Sequence, residues 1–104
     1  MKRMSTVYAA VAVALLLAPG VQAQSFPAKP VRIVVPYPPG GATDSVARLL
    51  APRLSDVWRQ PVVIDNRAGA GTTIGAELVT KAPGDGYTLL FTDAATFVLN
   101  PFLY

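Results

Sequence analysis

The sequence has no cysteine and no histidine. The first absence excludes disulfide staples and thiol nucleophiles. The second removes the usual general base near neutral pH, and together they take away the commonest transition-metal ligands. Charge of one sign is also scarce. With Lys2 and Arg3 set aside, seven basic residues (Lys29, Arg32, Arg48, Arg53, Arg59, Arg67 and Lys81) face six acidic ones. That near balance, spread along the chain, offers no electrostatic footprint for nucleic acid. There is no internal repeat and no low-complexity tract. The apolar run from Val7 to Ala18 has 12 residues, short of the about 20 that a spanning helix needs.

What the first residues do contain is an ordered set of export signals. Lys2 and Arg3 form a positive start, the apolar run follows, Pro19 and Gly20 break it, and Val21-Gln22-Ala23 supplies a small-x-small cleavage site. Residues 1–23 therefore read as a cleavable secretory signal peptide. The mature chain is expected to start at Gln24 and to be soluble outside the cytoplasm. No cysteine follows the run, so lipid anchoring at this site is excluded. The remaining 81 residues (24–104) have no disulfides and a small core, marginal for a domain standing alone.

Gln24 to Pro30 is an extended lead-in, because Pro27 and Pro30 oppose helix. Val31 to Val35 is a short β-branched run ended by Pro36, which suits a parallel strand buried on both faces. A loop from Tyr37 to Gly41 follows. From Thr43 or Asp44, either of which can serve as N-cap, the period becomes helical, with Val46, Leu49, Leu50, Leu54, Val57 and Trp58 expected inward. Pro52 lies inside this pattern and is expected to kink or split the helix. Val62 to Ile64 reads as a second strand and Asp65 to Gly71 as its loop. Thr73 to Ala82 reads as a second helix, packing Ile74, Leu78 and Val79 inward. A turn from Pro83 to Gly86 precedes a third strand from Tyr87 to Phe91, and Thr92 to Thr96 is its outgoing loop. The order β-α-β-α-β with short connections is the beginning of a doubly wound α/β fold with right-handed crossovers.

In such folds ligands bind beyond the carboxyl ends of the strands. Two glycine-rich loops occupy that edge where helices begin, Tyr37 to Asp44 and Arg67 to Thr73. Glycine lets backbone N–H groups approach a ligand, and a helix N-terminus adds about half a positive charge, so the pair suits a carboxylate or phosphate. Each glycine taken alone also serves a tight turn. Asp44 is a candidate acid or base, but its place at a helix start favours capping, and no second carboxylate or histidine lies near it. Arg67 suits either an anion clamp or a solvated loop. Trp58 and Tyr87 read as core. Gly69-x-Gly71-x-x-x-Gly75 followed by Asp93 is similar to a dinucleotide fingerprint, but its spacing departs from G-x-G-x-x-G and its turn is looser.

Five segments together carry a resemblance. PVRIVVPYPPGGATD from Pro30 to Asp44, QPVVIDNRAGAG from Gln60 to Gly71, IGAE from Ile74 to Glu77, PGDGYTLL from Pro83 to Leu90 and NPFLY from Asn100 to Tyr104 resemble, in order and in register, the opening of the Bug-type substrate-binding proteins of tripartite tricarboxylate transporters. The resemblance implies a two-lobed periplasmic-binding-protein-like fold, of which residues 24–104 would be the first βαβαβ part of lobe one. It implies a periplasmic, monomeric, non-enzymatic receptor with no cofactor and no metal. Such a receptor takes a small carboxylated solute (a di- or tricarboxylate, amino acid or aromatic acid) and delivers it to membrane permease subunits. As ligand-binding residues it nominates Tyr37, Gly40, Gly41, Thr43, Asp44, Ala70, Gly71, Thr72, Thr92 and Asp93. Because the second lobe is missing from these 104 residues, a fragment, a truncated gene product or a non-functional remnant is the alternative expectation.

Overall fold

Four of the five residues in β1 (Val31–Val35) are β-branched and apolar, and the strand is the spine of the molecule. In the computed structural model, which describes residues 23–103, β1 lies between β2 (Val62–Asn66) and β3 (Thr88–Leu90) in a three-stranded sheet of order β2-β1-β3. Both pairings are parallel, with Val31 opposite Val62 and Arg32 opposite Thr88. Hydrogen bonds continue past the ladder, from Arg67 N–H to the Val35 carbonyl and from Phe91 N–H to that of Val34. Val31, Val34 and Val35 have no solvent exposure at all. The α/β class, the β-α-β-α-β succession and the parallel sheet agree with the expectation from sequence. The signal peptide, apart from Ala23, lies outside the described residues, as does Tyr104.

Helix α1 (Ala42–Trp58) joins β1 to β2, and α2 (Thr73–Thr80) joins β2 to β3. Two short helices close the described chain, α3 (Ala95–Val98) and α4 (Asn100–Leu103). Ile33 and Val35 pack against Ala47 of α1, with Leu54, Ile64 and Phe91 around them. The lead-in is tied down at Tyr87, whose hydroxyl accepts from Ala28 N–H and whose ring packs on Phe26 at 5.0 Å between centroids.

Several expectations change here. Pro52 does not split α1, which runs for 17 residues; only one backbone bond, from position 52 to Arg48, is forfeited, and the Pro52 ring lies on an exposed position. The N-cap is Gly41, with no side-chain capping bond, and neither Thr43 nor Asp44 holds that place. The buried stripe of α1 is Asp44, Ala47 and Ala51, whereas Val46, Leu49, Leu50 and Val57 face outward. Two stripes share the helical period, and the one with small side chains allows the closer approach to the sheet. Ile74, likewise expected inward, is exposed. The helical residue of α2 that packs closely is Gly75: a Cβ there would stand 2.7 Å from Pro36 Cβ and 3.0 Å from the Arg67 carbonyl oxygen. β2 extends two residues beyond Ile64 because Asp65 and Asn66 still pair with Val34 and Val35. The loop after β3 is cut short by α3, which begins at Ala95.

Candidate solute-binding edge

All three strands are parallel, so their carboxyl ends share one edge. The connection from β1 leads toward β2, and that from β2 crosses β1 to reach β3. A switch point therefore lies beyond β1 and β3, where ligands settle in open α/β sheets. A concavity of about 260 Å³ occupies this place, lined by Ala42, Thr43, Val46, Phe91, Thr92 and Asp93. It brings together three of the nominated residues, Thr43, Thr92 and Asp93. The first amides of α1 point out of the same helix end without a side-chain cap, leaving donors for an anion. A larger groove of about 360 Å³ runs between α1 and the β2 edge, along Pro52, Ser55, Val62 and Ile64. It contains none of the glycine-loop residues.

The turn before α1 is shaped by Asp44. Its carboxylate is buried, and Oδ2 accepts from Gly40 N–H at 2.8 Å and from Arg48 Nε at 2.8 Å, while Oδ1 accepts from Asn66 Nδ2 at 2.9 Å. The hydrogen bond from Arg48, then those from Gly40 and Asn66, lower its pKa from 3.8 to about 2. Asn66 Nδ2 also reaches the Tyr37 carbonyl at 3.1 Å, and Arg48 Nη2 reaches Asn66 Oδ1 at 3.0 Å. Asp44 is thus a brace: it stands three residues beyond the cap, reaches back to the turn, and has its oxygens engaged within the protein. Tyr37 packs its ring against the core, Gly40 has φ 90°, and Gly41 begins the helix.

The turn before α2 is built differently. Gly69, Ala70, Gly71 and Thr72 all have positive φ (132°, 45°, 58° and 77°). Such a run is costly for Ala70 and more so for β-branched Thr72, and strain of this kind clusters at functional sites. Ala70 and Gly71 are exposed, and Thr72 is buried with its hydroxyl 2.8 Å from that of Thr96. Arg67, undecided from sequence, turns its Nε onto Asp65 at 2.9 Å.

Sequence reasoning did not single out Asn66, Arg48, Thr96 or Asn100. Arg48 had a readable signal, since it stands four residues after Asp44 on one helix. Asn66 had a weaker one, at the carboxyl end of a strand. Thr96 and Asn100 reach the second turn from 24 and 28 residues away, at Thr72, and no local pattern marks them.

Comparison with known proteins places this arrangement. The tripartite tricarboxylate transporter family receptor model matches residues 46–104. The chain is 49% identical over 85 residues to protein BugT of Bordetella pertussis, covering 82% of this chain and 26% of that protein. A Rhodopseudomonas palustris protein solved with adipate is similar at 49% identity and a TM-score of 0.61, over 62% of this chain and 22% of the other. MatC from Rhodopseudomonas palustris, solved with bound malate, is similar at 45% identity and a TM-score of 0.60, over the same shares. The chain spans about a quarter of the length of the curated relatives that it matches. With the family model covering more than half of the sequence and the folds in agreement, the chain belongs to the tripartite tricarboxylate transporter receptor family.

Proposed function

We propose that residues 24–104 are the first part of lobe one of a periplasmic solute-binding receptor, exported by the signal peptide of residues 1–23. The receptor binds a small carboxylated solute, acts as a monomer and delivers the solute to membrane permease subunits without transforming it. The observation that carries this reading is the open helix end at the switch point. The first amides of α1 have no side-chain cap, and Thr43 and Thr92 stand at the mouth beside them. Backbone donors and hydroxyls suit a carboxylate and leave room for whatever the rest of the solute carries. The adipate and malate found in two similar proteins support the solute class.

The exposed backbone of Ala70 and Gly71 is the second proposed contact, next to Gly41, with Gly40 (its N–H held by Asp44) and buried Thr72 proposed to shape the two turns. Asp93 is proposed to touch the solute away from its carboxylate, because two like charges repel at contact distance. Asp44 and Tyr37 are proposed to act by shaping the first turn. Isothermal titration of the full-length gene product with di- and tricarboxylates, amino acids and aromatic acids tests the reading. Saturable binding of at least one carboxylate, weakened by salt, is the expected result. Silence across the panel would overturn the assignment.

A further inference from the structure

A line of four polar side chains runs from α4 to the candidate mouth, and it has a direction. Asn100 Nδ2 donates to the Gly71 carbonyl and, at 3.0 Å, to Thr72 Oγ1. Thr72 Oγ1 lies 2.8 Å from Thr96 Oγ1, which lies 2.6 Å from Thr92 Oγ1. Thr72 and Thr96 are buried, and Thr92 lines the concavity at the far end.

The direction follows from donor and acceptor chemistry. The Gly71 carbonyl can only accept, so the Asn100 atom facing it is the amide nitrogen, and the orientation of that amide is determined. The nitrogen offers no lone pair, so Thr72 Oγ1 accepts from it. Thr72 has one proton, and the acceptor in reach is Thr96 Oγ1; any other arrangement strands a buried donor. Thr96, having accepted, passes its own proton to Thr92 Oγ1. The Thr92 proton is then left over, at the wall of the concavity.

We propose that Asn100 is a positioning residue which, through Thr72 and Thr96, commits the Thr92 hydroxyl to donate into the mouth, where it meets an oxygen of the solute's carboxylate. The proposal rests on the receptor reading above. A hydroxyl in the opposite sense would present lone pairs to an anion and repel it. The same Asn100 amide also pins the strained turn at Gly71, so one side chain sets both the proton order and the backbone next to it.

Neutron diffraction from deuterated crystals of the full chain reads the proton order without any ligand. Deuterium on Thr92 Oγ1 pointing away from Thr96 is expected, and deuterium pointing from Thr92 to Thr96 would overturn the proposal. Titration with L-malate and adipate reads the consequence. Asn100→Asp puts an acceptor where the donor was and reverses the line; Thr92→Val removes its last member. Each is expected to weaken binding roughly 10- to 100-fold, as for loss of one hydrogen bond to a charged group. Thr92→Ser keeps the donor and should stay within about threefold. In the Thr92→Val background, Asn100→Asp should cost clearly less than in the parent, keeping only the share that passes through the Gly71 turn or the new carboxylate; full additivity would sink the idea. If neither probe binds the unaltered chain, the receptor reading suffers, and the neutron positions still decide the proton order.

Discussion

After β1, the turn into α1 is braced by Asp44, four residues beyond Gly40, and by Asn66 at the end of the adjacent strand. After β2, the turn into α2 is braced by Asn100, which arrives 28 residues after Thr72. The first turn has one positive φ, at a glycine, and the second has four in a row, two of them at non-glycine residues. Both turns face the same sheet edge with backbone donors. The first is held by side chains of α1 and of the neighbouring strand β2; the second is held by side chains of α3 and α4. The proposed binding edge therefore has a rigid half and a conditional half.

The strongest way to break the rigid half is Asp44→Ala. It strands Arg48 and Asn66 and frees Gly40, so thermal unfolding of the full chain should show the largest fall in Tm of any variant here. Acid should do the same gradually. The Asp44 pKa of about 2 lies below its ordinary 3.8, so its contribution is complete above about pH 5 and is lost as pH falls through 3.8 to about 2. Asp44→Asn should flatten the stability profile in that window, and an unchanged profile would remove the carboxylate from its bracing role.

Next in size is Gly75→Ala, which drives a methyl into Pro36 and the Arg67 carbonyl. About 1–3 kcal/mol of stability should be lost, measured by chemical denaturation, because the backbone on both sides has little room to give. The conditional half can be strengthened. Ala70→Gly relieves a left-handed φ of 45°, and a gain of about 0.5–1 kcal/mol is expected where strain relief exceeds the added chain entropy. Smallest of all is Val57→Thr on the exposed face of α1, expected within about 0.5 kcal/mol of the parent. A large loss there would show that Val57 is packed and not solvent-facing.

Legibility from sequence followed the same division. The β-branched run of β1, the helical period of α1 and the glycine loops were readable because each rests on local rules. The cap at Gly41 was misplaced by two or three residues, because Asp44 imitates a cap from inside the first turn. The inward face of α1 was misjudged, since Leu49, Leu50 and Val57 carry more hydrophobicity than the alanines that actually meet the sheet. Thr43, Thr92 and Asp93 do converge at the switch point, as parallel strands require. The line from Asn100 to Thr92 was invisible, because it joins residues from two turns and two helices whose docking no periodicity encodes.

The central place of β1 also sets a clock. Of the three described strands it leaves the ribosome first, and its partners follow 31 residues later, from Val31 to Val62, and 56 residues later, from Arg32 to Thr88. At about 5–20 residues per second of synthesis, β1 waits roughly 2–6 s for one neighbour and roughly 3–11 s for the other. During that interval an apolar run with two open edges is available to chaperones and to other nascent chains. The strand that ends as the most protected part of the sheet is, in time, its most exposed.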